Sequence, residues 1–321
     1  MRIAVLALEG LFDTGLTVTL DAFTTANNLS AALLGGAAHF DLSIVGMRRK
    51  VRSGQGLTIP VNAIASIPRP DWVIVPALKA STPATLIPAL DRNDVRQATR
   101  QIMQWHEDGV RIAASCIGTF LLAEAGLLDQ REATTTWSRS PLFRQRYPAV
   151  LLDETRMLVP TDVGVTAGSA MGHLDLALWL IRQSSPELST LVSRYLLADI
   201  RSSQAPYIIP NHLAQTDALV LRFERWAREN LQQGFSLQDA ASALATSPRS
   251  LQRRCQAVLG KSPLAYFQDL RVERAQSLIH GSGLALDAIA AEVGYVDGAT
   301  LRTLLRQRLG RGVRDLRTDL R

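Results

Sequence analysis

Two groups of residues carry side chains able to do chemistry. The first is Ala113-Ala114-Ser115-Cys116-Ile117-Gly118-Thr119. An apolar, β-rich run over 110–116 ends at the cysteine, and a helical pattern over 117–125 starts at once. A strand that turns directly into a helix lifts the residue at the elbow above the sheet, as nucleophiles are presented, and a helix N-terminus favours a thiolate there. The same position also suits a small buried residue in a tight turn. Catalysis by Cys116 needs a base within reach. The histidines are His39, His106, His173, His212 and His280, and spacing alone places none of them beside Cys116. His173, at a helix end, fits either this site or a structural role.

The second group is basic. Arg249, Arg253, Arg254 and Lys261 lie within 248–261 with no acidic residue among them, and Gln252 sits between the arginines. Arginine matches guanine O6/N7 in a bidentate manner and glutamine matches adenine N6/N7, so these residues at the start of a helix suit base reading in a DNA major groove. Fifty residues on, Thr300, Arg302, Thr303 and Arg306 repeat the arrangement more weakly; Arg308, Arg311, Arg314 and Arg317 follow, placed for phosphates or for water.

The elements that position the basic group repeat as well. Leu237, Ala240, Ala241 and Leu244 have the i, i+3, i+4, i+7 spacing of a buried helix face, and Leu286, Ile289, Ala290 and Val293 reproduce it. Each is followed by a turn, Ala245-Thr246-Ser247-Pro248 or Gly294-Tyr295-Val296-Asp297-Gly298, and by a second helix anchored on Leu251 or Leu301 and running to Gly260 or Gly310. Ser247 and Asp297 are N-caps, and Pro248 suits the first helical position. A helix, a tight turn and an amphipathic second helix make a helix-turn-helix. Two copies, joined by a long helical stretch over 263–280, could read major-groove segments about one helical turn (roughly 34 Å) apart. A bundle with a solvated basic face is the bland alternative.

Before residue 186 the pattern differs. Apolar runs over 2–8, 40–47, 71–78 and 110–116 alternate with helical stretches over 16–33, 91–107, 117–125 and 170–183, with two more short strands near Leu151 and Val165. Alternating strands and helices, with runs apolar almost throughout, predict an α/β domain on a mainly parallel, flavodoxin-like sheet buried on both faces. The expected organisation is an α/β domain over 1–185, a linker region over 186–214 marked by Pro186, 202–206 and Pro210 with a short helix over 187–200 between the breaks, and an all-α domain over 215–321 with two helix-turn-helix units.

Composition supports this division. The 321 residues are 47% apolar and 20% charged, enough for two cores. Of the net charge of +6, a surplus of five falls within 212–321, which hold 16 Lys+Arg against 11 Asp+Glu. That bias points to a polyanionic partner for the C-terminal part. No apolar run is long enough to span a membrane, and the N-terminus reads as a buried strand rather than a leader. Cys116 and Cys255, in different domains, fit a reducing cytoplasm better than a disulfide framework. No Cys/His spacing suggests a metal, and no cofactor is expected.

The stretch Ser247-Pro248-Arg249-Ser250-Leu251-Gln252-Arg253-Arg254-Cys255, then Gly260-Lys261-Ser262-Pro263, then 271–278, then Ile289-Ala290 with Val293-Gly294-Tyr295, closely resembles AraC-type regulators. The resemblance covers roughly 215–321. It implies that Arg249, Gln252 and Arg253 contact bases or backbone from the first recognition helix, with Arg254 beside them, and Ala299, Arg302 and Thr303 from the second. Leu301 stands where an aromatic anchor is usual, Thr303 where an arginine is common, and Gly312-Val313 replaces a Ser-Pro. The second unit is therefore expected to bind more weakly.

Residues 113–129 with Ala133-Thr134-Thr135-Thr136-Trp137, Thr166-Ala167-Gly168-Ser169 and Leu174-Asp175-Leu176-Ala177 resemble the PfpI-type branch of the glutamine-amidotransferase-like fold, over about 1–185. Members often carry a histidine just before that tryptophan; here Thr136 stands there, which argues against a Cys-His pair. The combination of the two domains resembles GlxA-type regulators, which implies an N-terminal domain that binds small nitrogenous metabolites. The expected ligand cleft lies at the C-terminal ends of the strands, lined by Cys116, Ile117, Trp137 and Asp13; Trp72 and Trp105 fall to the core or a dimer surface. The sequence thus favours a non-enzymatic transcription regulator, a homodimer acting on promoter DNA with a small effector and RNA polymerase as partners. A PfpI-like cysteine hydrolase or glyoxalase-type enzyme, and a ligand-free architectural DNA binder, remain the alternatives.

Overall fold

The structure, a computed structural model, describes residues 1–36, 38–80, 82–199, 201–214, 217–309, 312, 313 and 316, with the backbone only at 210 and 211. The chain divides into two units, Met1–Gln204 and Ala205–Arg321.

The first unit runs, in order, through β1 (Arg2–Leu6), α1 (Asp13–Leu33), β2 (Asp41–Gly46), β3 (Lys50–Arg52), β4 (Thr58–Pro60), β5 (Asn62–Ala63), β6 (Trp72–Val75), α2 (Pro83–Leu90), α3 (Asn93–Glu107), β7 (Arg111–Ser115), α4 (Gly118–Glu124), β8 (Glu132–Ala133), α5 (Ser140–Arg146), β9 (Leu151–Leu152), β10 (Leu158–Pro160), β11 (Gly164–Ala167), α6 (Gly172–Ser184) and α7 (Pro186–Tyr195). Seven strands form one sheet in the order β10-β11-β7-β6-β1-β2-β5, parallel throughout except for the β10–β11 pair. Along β1 the side chains alternate between two cores: Ala4 and Leu6 pack with α2, α3 and α4, while Ile3 and Val5 pack with α1, α6 and α7. Both faces are covered, which is why these strands are apolar without a polar alternation. Each fully buried Leu, Ile, Val or Phe contributes roughly 1.5–3 kcal/mol. Trp72 and Trp105 are buried within these cores, Trp72 edge-on to Trp179 with the Arg111 guanidinium over its ring at 4.4 Å.

The stretch 186–204 is not a tether. Pro186, which reads as a breaker, occupies the first turn of α7, and Ser185 caps that helix by accepting from the Leu188 amide at 3.1 Å. Leu188 and Val192, one turn apart, are fully buried against α1 and α6. Arg201 then pairs with buried Asp175, and the chain follows residues 155–157 as far as Gln204. An amphipathic helix must bury its apolar face, so a segment with that pattern joins the nearer core.

The second unit comprises α8 (Pro210–Ala214), α9 (Ala218–Glu229), α10 (Leu237–Ala243), α11 (Pro248–Leu259), α12 (Pro263–Gly281), α13 (Leu286–Glu292) and α14 (Gly298–Leu309). The expected caps form: Ser247 accepts from the Ser250 amide at 3.1 Å, Asp297 accepts from that of Thr300 at 2.7 Å, and Gly260 ends α11 with φ +69°. Leu251, Leu301 and Leu305 are fully buried, so leucine fills the anchor position of the second copy without opening the core.

Candidate nucleic-acid interface and ligand cleft

In the C-terminal unit, α10 and α11 form the first helix-turn-helix and α13 and α14 the second, with α12 packed against both pairs. Each turn needs a residue in the left-handed region, Ala245 (φ +51°) in the first and Gly294 (φ +78°) in the second. Only the second position demands glycine for lack of room: a Cβ on Gly294 would lie 2.3 Å from both the Leu231 carbonyl oxygen and Arg271 Nη2. Arg271, on α12, is buried between the rings of Phe267 and Tyr295, with its guanidinium carbon 4.9 and 4.8 Å from their centroids. Its Nε and Nη2 donate to the Leu231 carbonyl at 3.1 and 2.8 Å. This residue seats the turn of the second copy on α12.

Arg249, Gln252 and Arg253 are exposed on α11, as are Ala299, Thr300, Arg302, Thr303 and Arg306 on α14. Arg254, Lys261 and Arg308 are ion-paired within the unit. Arg254 is ion-paired with Asp217, the buried carboxylate that caps α9, and Arg254 with the cap amides holds that carboxyl below the usual carboxylate range. Asp269 on α12 takes Lys261 at one oxygen (2.8 Å) and Arg308 at the other (2.9 Å). A stretch free of acids in sequence thus meets two acids in space, and Arg254, Lys261 and Arg308 are tied down where Arg249 and Arg253 are not. The Thr303 hydroxyl is turned back onto the Ala299 carbonyl at 3.1 Å. Gly310, Arg311, Arg314 and Arg317 lie outside the described residues. The roles of Asp217, Asp269 and Arg271 escaped sequence reading because contacts between groups distant in the chain leave no periodic trace.

In the N-terminal unit Cys116 follows β7, next to the end of β11, and its φ of +57° makes it a strained elbow. It opens on a cleft of about 260 Å³ lined by Phe12, Ala77, Leu78, Lys79, Ala80, Cys116, Ile117, Thr136, Ser138, Arg139 and Ala170, which follow β1, β6, β7 and β11 and the segment after β8. Of the four residues expected there, Cys116 and Ile117 line the cleft. Asp13 and Trp137 are chain neighbours of lining residues but not part of the wall; Asp13 Oδ2 accepts from the Gln55 amide at 3.0 Å. The sequence missed Arg139 and Ser138, for which only adjacency to Trp137 was a signal.

The elbow does not carry a thiolate. Burial pushes the Cys116 thiol up to about 11, against smaller opposing effects of the Ile117 amide, the Thr136 hydroxyl and the Arg139 charge. Burial therefore outweighs these neighbours and favours the protonated thiol. His173 is not a base for it: the buried ring donates from Nδ1 to the Ala170 carbonyl at 2.6 Å and accepts at Nε2 from the Ala77 amide at 3.1 Å. Both nitrogens are committed in one neutral tautomer, and burial lowers its pKa to about 4. His173 is a strut that joins the segment after β6 to the start of α6.

Among the described residues, no group of three or more His, Cys, Asp or Glu side chains is placed to hold a metal, and no helix is long and apolar enough to cross a membrane. Residues 222–319 match the family described as a helix-turn-helix domain. The two copies and their caps lie within the matched residues, so the C-terminal unit is similar to that helix-turn-helix domain. The chain is 27% identical over 232 residues to the HTH-type transcriptional regulator GbdR of Pseudomonas aeruginosa, covering 71% of this chain and 63% of that protein. It is 28% identical to ArgR of the same species (74% and 71% covered) and 26% identical to GlxA of Rhizobium meliloti (58% and 59%), both also HTH-type transcriptional regulators. The chain therefore spans a little under two thirds of the length of GbdR. Among solved structures, a Vibrio parahaemolyticus protein described as a transcriptional regulator superposes with a TM-score of 0.51 at 19% identity, over 61% of this chain and 98% of that one. That likeness is one of fold.

Proposed function

We propose that this protein is a sequence-specific transcription regulator whose α/β unit senses a small metabolite and whose C-terminal unit binds promoter DNA. The carrying observation is the pair of exposed faces, Arg249–Gln252–Arg253 on α11 and Thr300–Arg302–Arg306 on α14, on two helix-turn-helix units packed against one helix. Arg254 drops out of the reading set because Asp217 holds it. The second face, with one hydroxyl turned inward and no described counterpart to Gln252, supplies grip more than reading. The effector enters the cleft at Cys116 and Ile117; a small nitrogenous metabolite remains the working class, with Asp13 and Trp137 supporting the wall from behind. A homodimer on promoter DNA in the cytoplasm, working with RNA polymerase, completes the reading, with 186–204 counted with the sensing unit.

The enzyme reading has less support: the elbow thiol is protonated at neutral pH and the nearby histidine has no free nitrogen. The test is a gel shift on DNA upstream of the gene across a salt series. Arginine contacts to phosphate predict affinity that falls steeply with salt. A flat salt response, or equal affinity for random DNA, would refute the sequence-specific reading.

A further inference from the structure

The last residue of the N-terminal unit, Gln204, is wholly buried, and its side chain reaches the back of the cleft wall. Its Nε2 donates to the Thr135 carbonyl at 2.8 Å, to Thr134 Oγ1 at 3.1 Å and to the Arg156 carbonyl at 3.2 Å. An amide nitrogen has two hydrogens for these three acceptors. Its Oε1 is buried with no partner among the described residues. A buried orphan of this kind is unfavourable, so the seat is held, but not firmly.

Two segments make that seat, and both continue into the cleft. Thr135 Oγ1 donates to the Cys116 carbonyl at 2.6 Å, and the next residue, Thr136, lines the cleft. On the other side, Gly168 leaves the space that the Gln204 amide fills; a Cβ there would lie 2.0 Å from Nε2. Two residues later Ala170 lines the cleft and accepts from His173. Thr136 and Ala170 in the cleft wall thus lie one residue from an acceptor and two residues from a wall of the Gln204 amide. Arg201, Ser202 and Ser203 are also tied to this unit, to Asp175, Met157 and Thr155, but those ties do not reach the cleft wall.

We infer that Gln204 is the output latch of the sensing unit: occupancy of the cleft changes how its amide is seated, and so changes the anchoring of the chain that leads into the DNA-binding unit at Ala205. This rests on the cleft being the sensing site. A ligand shifts the balance only by preferring one seat over the other.

The test is a double-mutant cycle on the full chain, reading affinity for the gene's own upstream DNA. Ser138→Trp serves as a built-in occupant of the cleft, and Gln204→Ala removes the latch. Ser138→Trp is expected to change affinity about fivefold or more in the parent chain, the lower end of ordinary allosteric coupling, and by less than about twofold in the Gln204→Ala background. Equal changes in both backgrounds would show that the cleft is coupled but not through Gln204, overturning the latch while leaving the sensing site standing. No change in either background would overturn both. Gln204→Met, which keeps the volume and loses the hydrogen bonds, replaces Gln204→Ala if that variant fails to fold.

Discussion

Arg271 Nη2 donates to the Leu231 carbonyl at 2.8 Å across 40 residues of sequence, and the Gly294 turn closes over the same pair. The guanidinium is buried, so its removal strands a backbone carbonyl and empties a slot between two rings. Arg271→Met is expected to cost about 2–4 kcal/mol of the C-terminal unit's stability, and Arg271→Lys only somewhat less, because an ammonium cannot lie flat between rings or donate in a fork. Gly294→Ala, with its clash and left-handed φ, should cost more than about 2 kcal/mol. Urea melts followed by tryptophan fluorescence check all three. A loss below about 1 kcal/mol for Arg271→Met would show that the buried pair does not hold the turn.

DNA reading should be unequal between the two copies. Arg253→Ala is expected to lower affinity for the operator by about 1–3 kcal/mol and relax preference at one base position. Arg302→Ala should weaken all sequences alike. Arg254→Ala should act on stability instead, because its partner Asp217 loses its ion pair at the cap of α9. Competition gel shifts with single-base operator variants, beside thermal melts, separate these outcomes. Equal specificity losses for Arg253→Ala and Arg302→Ala would remove the asymmetry.

Cys116 should be slow to alkylate. With the thiol at about 11 rather than its usual 9.0, the thiolate fraction near neutral pH falls about a hundredfold, and burial slows attack further. Cys255, pushed up to about 12 by burial, should behave alike. Mass spectrometry after timed iodoacetamide treatment reads both sites. Labelling of Cys116 at the rate of an unfolded thiol would restore the enzyme reading.

The His173 strut makes stability depend on pH. Its folded pKa, about 4, lies below the usual 6.5, so the unfolded chain binds the extra proton first as pH falls. The contribution of the neutral ring is whole above about 6.5 and is lost progressively down to about 4, on the order of 3 kcal/mol in full. Denaturant midpoints of the α/β unit at ~pH 7 and ~pH 5 should differ for the parent chain and converge in His173→Gln. A parent midpoint that does not move between those pH values would place His173 in a solvated setting.

The repeated helix-turn-helix was legible because its signals are local: Ser247 and Asp297 as caps, and Leu251 and Leu301 as anchors. The parallel sheet was legible for a related reason, since β1, β6 and β7 are buried on both faces beyond their first residues. Short elements such as β5 and β8 have no pattern of their own and exist only because a neighbour pairs with them. The helix after Pro186 was legible, but that Leu188 and Val192 bury into the α/β core was not, because helical spacing does not say which core an apolar face joins.

By itself the sequence determined the two-part architecture, the elbow at Cys116 and the α11 and α14 faces, since each follows from periodicity and capping within one turn or strand. Only the tertiary structure decided which of those side chains are free. It brought Asp217 to Arg254 and Asp269 to Lys261 and Arg308, buried the Cys116 thiol, spent both nitrogens of His173, and ran Gln204 into the wall of the cleft. The reason is range: helix and strand signals act over a few residues, whereas the desolvation and charge that set reactivity come from groups the chain brings together across tens of residues.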